Sequence, residues 1–222
     1  MVKCYCLPYI FKTNNTPVMD NSNQSIISVY DLNSSKFFDE YESISFKKVH
    51  ANWITEVIPS NGLALDIGAG SGRDAAYLAE KGYSVFAVEP SDKLRLLAQQ
   101  KHSSKKIAWL KSSLPELKSV FKLKNSFDLI LLSAVWMHIA PADRQTSLNN
   151  IFRLLNDSGY FVITLRHGNS PDERKMFEIT SEEVIDRLQK YSVELVRQTK
   201  DIDALKRRDV WWETLVFKKS PK

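Results

Sequence analysis

The residues best placed to do chemistry stand close together in the chain. Asp66-Ile67-Gly68-Ala69-Gly70-Ser71-Gly72 sets three glycines at alternate positions behind a carboxylate, and a second acid, Glu89, follows some 20 residues later. Glycines at such a turn permit backbone angles closed to other residues and let a ligand approach the main chain. Glu89 ends an apolar run, at a place where an acid can accept hydrogen bonds from a ribose. A pyrophosphate-binding turn wants G-x-G-x-x-G, but the last position of that pattern is Arg73. Asp66 would also repel a pyrophosphate and attract an ammonium group. The loop therefore favours an adenosine ligand carrying an amino acid. A nicotinamide-dependent oxidoreductase is the disfavoured alternative.

The elements that must position these residues alternate between strand and helix. Leu63–Ile67 reads as a strand, Arg73–Lys81 as a helix stopped by Gly82, and Ser84–Val88 as a second strand. A helix over Asp92–Gln100 has Ser91 or Asp92 as its cap, and Ile107–Leu110 is a third strand. Phe127–Ser133, nearly all apolar, is a fourth strand buried on both faces. Ala142–Leu155 is a helix, and a turn at Asp157-Ser158-Gly159 leads into a fifth strand over Tyr160–Leu165. Thr180 opens another helix, capped by Thr180 or Ser181, and Val193–Thr199 and Trp211–Lys218 close the chain as strands. Such alternation predicts a doubly wound α/β fold with a mostly parallel sheet. Ahead of it, apolar positions between Ser34 and Ile58 suggest helices, whereas residues 1–28 are rich in Asn, Ser, Thr and Pro and read as a flexible tail.

Composition narrows the class further. The chain has 222 residues, which suits one domain, and 43% hydrophobic with 26% charged residues is ordinary for a soluble protein. The longest apolar run, Leu129 to Ala140, is too short for a bilayer span of about 20 residues. The N-terminal stretch makes a poor signal peptide, so a cytoplasmic location is expected. Cys4 and Cys6 are too close to staple a fold, and the four histidines lack metal-ligand spacing. The net charge of +5 is spread among acids, so it reads as a solvated surface with RNA as a second class of partner.

The stretch "LALDIGAGSGRDAAYLAEKGYSVFAVEPS", followed by "FDLILLSAVWMHI" and "LLNDSGYFVITL", resembles the class I S-adenosylmethionine-dependent methyltransferases from about Leu63 to Leu165. The resemblance implies a seven-stranded sheet with an antiparallel last strand. It implies a Rossmann-like core over 61–222 and a helical lid over 29–60, together one domain over 29–222. It also implies methyl transfer from S-adenosylmethionine, leaving S-adenosylhomocysteine, to an O, N or S atom. Gly68, Ala69 and Gly70 would pass the main chain beside the cofactor's methionine part, and Asp66 would order that end of the site. Glu89 would accept from the ribose hydroxyls. Pro90 and Ser91 would flank the adenine, with Ser112, Ser113 and Leu114 at its edge. Ser133, Ala134 and Val135 would line the methionine part. Ser112 stands where many members have an Asp, and a hydroxyl is a weaker acceptor than a charged group.

Beyond these positions the reading is by residue type. Arg73, at a helix start, is placed to meet the cofactor's carboxylate, with an exposed helix position as the alternative; similar enzymes lid the site with N-terminal helices whose aromatic touches the cofactor, which implies that role for Tyr41. His138 and His167 are the candidate bases, with a packing role as the alternative for His138. Arg166 and Arg174, in the polar loop after the fifth strand, are candidates for binding the acceptor. In "RRDVWWET" adjacent tryptophans point to opposite faces, so at most one can meet a given pocket; Arg208, Asp209 or Trp211 could stand at its edge, with core packing as the favoured reading. The absence of long insertions favours a small-molecule acceptor over RNA or protein. A non-catalytic cofactor-binding protein is the remaining alternative.

Overall fold

The structure, a computed structural model, describes residues 21–54, 61–103 and 106–221. Three helices come first: α1 (Asn21–Leu32), α2 (Ser34–Glu42) and α3 (Phe46–His50). The core then runs β1 (Leu63–Ile67), α4 (Arg73–Glu80), β2 (Ser84–Val88), α5 (Asp92–Lys101), β3 (Ile107–Leu110), α6 (Lys118–Phe121) and β4 (Phe127–Ser133). It ends with α7 (Arg144–Leu154), β5 (Leu155–His167), α8 (Ser181–Leu188), β6 (Val193–Ile202) and β7 (Trp211–Lys219).

The seven strands order as β3-β2-β1-β4-β5-β7-β6, with β7 antiparallel to both neighbours. This is the doubly wound sheet with an antiparallel last strand that the sequence predicts. Alternation along β4 explains how one strand feeds two cores. Ile130 and Leu132 pack on one face with Leu148 and Ile151 of α7 and Val184 of α8. Leu129 and Leu131 pack on the other with Ala75 and Leu78 of α4. Burying each such side chain stabilises the fold by about 1.5–3 kcal/mol. Strand order reverses between β1 and β4, and a crevice opens above their C-terminal ends.

The caps fall where hydroxyls were expected. Ser91 Oγ accepts from the Leu94 N–H at the start of α5, and Thr180 Oγ1 from the Glu183 N–H at the start of α8. Two boundaries need correction. The expected tail over residues 1–28 ends too late, because α1 already begins at Asn21. Its polar composition concealed Ile26, which is buried, and Tyr30, whose ring centroid lies 5.1 Å from that of Phe37. The rest of the expected tail, residues 1–20, lies outside the described residues, as do residues 55–58 of the expected lid helices. Strand β5 also runs well beyond Tyr160–Leu165. The expected turn at Asp157-Ser158-Gly159 is absorbed as an irregularity in the β4–β5 pairing, where Ser158 takes a φ of 63°. Asn156 Nδ2 donates to Asp128 Oδ1 at 2.8 Å and holds the two strands together there.

Candidate active site

The glycine loop turns sharply out of β1 and is pinned to β2. The N–H groups of Gly68 and Ala69 both donate to the Val88 carbonyl, at 2.8 and 2.9 Å. Gly68 has φ +75°, and a Cβ there would lie 2.4 Å from Val135 Cγ2, so only glycine fits without movement. Gly70 has φ +57°, and the ring of Tyr41 packs 3.4 Å from where its Cβ would be. The loop's peptide groups thus face a cavity of about 530 Å³ above β1, β2 and β4.

Glu89 closes the end of β2 and ties loop to strand. Its Oε2 accepts from the Gly70 N–H at 2.9 Å and its Oε1 from the Ser91 N–H at 2.8 Å. Burial pushes its carboxyl up to about 7, against the pull of those two N–H groups. Asp66 is different. Alternation along β1 turns it to the α4 side, so Ile67 and Gly68 line the cavity while Asp66 does not. It is 1% exposed, and burial together with the nearby Asp74 raises its carboxyl well above the usual range, toward the neutral acid. The expectation that Asp66 attracts an ammonium is therefore corrected: its role is beneath the loop, where it accepts from the Ala75 N–H.

The charge beside the loop belongs instead to Asp74. Although burial works against ionisation, Arg73 and His50 hold its carboxyl below the usual range. Trp53 Nε1–H donates to His50 Nδ1, so His50 Nε2–H faces Asp74 Oδ2 at 2.9 Å. Arg73 Nε donates to Asp74 Oδ1 and its Nη1 to the Tyr41 carbonyl. A buried chain thus joins α3 to the helix that follows the glycine loop.

Helices α1 and α2 roof the cavity through Ile26, Tyr30 and Tyr41. They are fastened to the core at several polar points. Asp31 Oδ1 accepts from Ser91 Oγ and the Lys93 N–H, and Glu42 Oε1 accepts from Ser71 Oγ. Arg174 Nη1 donates to both the Tyr30 and Tyr41 hydroxyls, at 3.1 and 3.2 Å, while Asp172 takes its other side. Burial pushes the Tyr41 phenol well above its ordinary value, so it stays protonated.

His138 lies in this cluster. Its Nδ1 faces the Lys175 carbonyl at 3.0 Å, which fixes the proton on Nδ1 and leaves Nε2 to accept from the Tyr30 hydroxyl at 3.1 Å. Burial lowers its pKa to about 4, so the ring is neutral at pH 7. The unfolded chain takes up this proton more readily. The stabilising contribution is thus fully present above about pH 6.5 and is lost as pH falls toward 4, by up to ~3 kcal/mol. Thermal midpoints between pH 4.5 and 7 should fall more steeply with acid for the native chain than for His138→Gln. Parallel curves would remove His138 from this account.

The structure places the other sequence-derived residues unevenly. Pro90, Ser112, Ser113, Leu114, Ser133, Ala134 and Val135 line the cavity beside Glu89, as do Arg73, Arg166 and Arg174. Ser91 does not; it is fully buried and spent on capping α5. His167 is corrected as a base. Arg166 and Thr164 face the cavity, so the alternate residue His167 points to the opposite face of the sheet. There it stacks on Trp211 at 3.7 Å and lies 2.9 Å from Glu213 Oε2. The same alternation makes Trp212, not Trp211, the tryptophan of the cavity, and the loop residue facing it is Arg207 rather than Arg208 or Asp209. Sequence reasoning missed Thr164, Met176 and the stretch from Asp201 to Arg207. Thr164 was within reach of the period of β5; the β6–β7 loop carries no local signal.

Residues 65–163 match the family described as Methyltransferase domain. An uncharacterized methyltransferase of Alkaliphilus oremlandii (strain OhILAs) is 29% identical over 108 residues, 46% of this chain and 44% of that protein. The chain spans about half the length of the curated relatives it matches. Among solved structures, a Burkholderia thailandensis 1,6-didemethyltoxoflavin-N1-methyltransferase with bound 1,6-didemethyltoxoflavin and S-adenosylhomocysteine aligns at a TM-score of 0.63 and 19% identity, over 97% of this chain and 100% of that one. N-methyltransferase NodS from Bradyrhizobium japonicum WM9, in complex with S-adenosylhomocysteine, aligns at 0.63 and 17%, over 90% and 99%. The strand order is that of the solved S-adenosylmethionine-dependent methyltransferases, and over residues 65–163 the chain is similar to the methyltransferase domain family. No helix among the described residues is long and apolar enough to cross a membrane.

Proposed function

We propose that this protein moves the methyl group of S-adenosylmethionine to a small-molecule acceptor held beneath α1 and α2. The observation that carries the reading is the roofed cavity of about 530 Å³, within the range of small-ligand pockets and walled off by the helices that lie over the sheet. The residues fit the cofactor. A turn without Cβ atoms at Gly68 and Gly70 leaves main chain exposed to the cavity, and the buried Glu89 stands at its side. In this reading Glu89 accepts from the ribose hydroxyls, and Gly68, Ala69 and Gly70 carry the methionine part with Ser133, Ala134 and Val135. Pro90, Ser112, Ser113 and Leu114 flank the adenine. Arg73 and Tyr41 close over the carboxylate end.

When bound, the sulfonium supplies a methyl group already activated for attack. The chain's own residues need only hold the acceptor in line and exclude water, which is worth several kcal/mol. Tyr30, Tyr41 and Arg174 form the wall that does so. Where the acceptor must lose a proton, the Tyr30 hydroxyl receives it while passing its own to His138 Nε2, since the two already share a hydrogen bond.

Calorimetric titration of the full chain with S-adenosylhomocysteine is expected to give micromolar binding, with NAD at least a hundredfold weaker. Equal or tighter binding of NAD would overturn the cofactor assignment.

A further inference from the structure

We propose that the acceptor is a planar aromatic acid, its carboxylate held by Arg166 and its ring against Trp212. The proposal rests on the reading that this cavity takes the acceptor, and it names the acceptor's class. Arg166 is 5% exposed and lines the cavity. It donates to the carbonyls of Gly168 and Asn169 and to the Met176 sulfur. A guanidinium carries five N–H groups and stays charged, so these contacts leave donors and a full positive charge over.

The nearby acids are all engaged elsewhere. Asp172 takes Arg174. Asp203 takes Arg207 and the Trp212 Nε1–H, and Glu40 takes Arg207 as well. Asp201 accepts from Asn52 and Thr199. Among the described residues no carboxylate lies within ion-pair distance of Arg166. A buried charge without a counter-charge is costly, so its persistence in a ligand cavity points to a ligand that supplies one. Burial, and then the neighbouring Arg207 and Arg174, press its pKa down against a weaker pull from Asp203 and Asp172, and an incoming anion relieves that pressure.

Register supplies the second half of the argument. Arg166 on β5 pairs directly with Trp212 on β7, and both line the cavity. Cross-strand partners share a face, so the sheet presents an indole and a guanidinium to the same cavity. Ile202 and Leu205 add apolar lining. A buried cation without a carboxylate partner, on the same face as a flat apolar side chain, matches one carboxylate on a flat ring.

The test uses benzoate, its uncharged analogue benzamide, and acetate, titrated by ligand-observed NMR into the full chain with and without S-adenosylhomocysteine. Benzoate is expected to bind at least tenfold more tightly than either of the others. Arg166→Gln is expected to erase the preference for benzoate over benzamide, and Arg166→Lys to retain part of it, with S-adenosylhomocysteine affinity unchanged within threefold in both. Benzamide binding as well as benzoate to the native chain overturns the proposal and needs no variant. So does salt-sensitive binding of a single-stranded RNA oligonucleotide that displaces benzoate. Loss of S-adenosylhomocysteine binding by the native chain would instead defeat the cofactor reading, and the benzoate preference measured without it would still decide the role of Arg166.

Discussion

Glu89→Gln is expected to weaken S-adenosylhomocysteine binding about a hundredfold. In the proposed reading the carboxylate accepts from two ribose hydroxyls. Charge-assisted hydrogen bonds are worth roughly 1.5–3 kcal/mol each, and the amide offers one acceptor oxygen and no charge, so ~3 kcal/mol, or about a hundredfold, should be lost. The same residue predicts a pH dependence. Burial raises Glu89 to about 7, so below neutrality it holds a proton and one oxygen becomes a donor. Ligand binding to the ionised form should release that proton, and affinity should climb between pH 6 and 8. For the unliganded fold the sign is opposite. A raised acid stabilises fully below its unfolded value near 4.5, and that contribution is lost as pH rises through about 7. Calorimetry at pH 6, 7 and 8 checks both claims. A Gln variant that binds within threefold of the native chain, or a native affinity flat across that range, would remove Glu89 from the cofactor site.

Gly68→Ala should damage the fold and the cavity together. The φ of +75° costs an L-residue about 1–2 kcal/mol, and the new carbon would meet Val135 Cγ2 at 2.4 Å. Val135 lines the cavity, so relief of the clash must come by pushing it into the ligand's space. A loss of roughly 2–4 kcal/mol is expected, or about 10 °C in thermal midpoint, with S-adenosylhomocysteine binding weakened as well. The two causes separate in a double-mutant cycle. Adding Val135→Ala should restore the steric part and leave the left-handed part, giving a coupling of about 1–2 kcal/mol. Strict additivity would mean that the two residues do not meet.

Particular residues mark how far the chain could be read without its fold. The glycines at 68, 70 and 72, the acid at 89 and the apolar strand over Phe127–Ser133 follow local rules: glycine for backbone angles, an acid at a strand end, unbroken apolar residues for a strand covered on both faces. Their spacing was enough for the fold class and one side of the cavity. Composition misled where a helix was polar along most of its length, as in α1, which buries Ile26 and sets the Tyr30 hydroxyl against His138, 108 positions away.

Three further matters were decided only in three dimensions. Which of two adjacent residues faces the cavity depends on a strand's absolute register, which pairing sets; this put Trp212 and Arg166 inside and Trp211, His167 and Asp66 outside. The protonation of Glu89, Asp66 and His138 depends on burial, and burial is a property of the packed chain. The partners of a charge are likewise non-local. The sequence shows Arg166, Arg174 and Arg207 as equals, and only the folded arrangement of Asp172, Asp203, Glu40 and Asp201 leaves Arg166 without a carboxylate among the described residues. Local chemistry determined what this chain can fold into and which glycine loop and strand-end acid border its cavity. The long-range pairing of charges, which no spacing along the chain encodes, decided where an acceptor would be held.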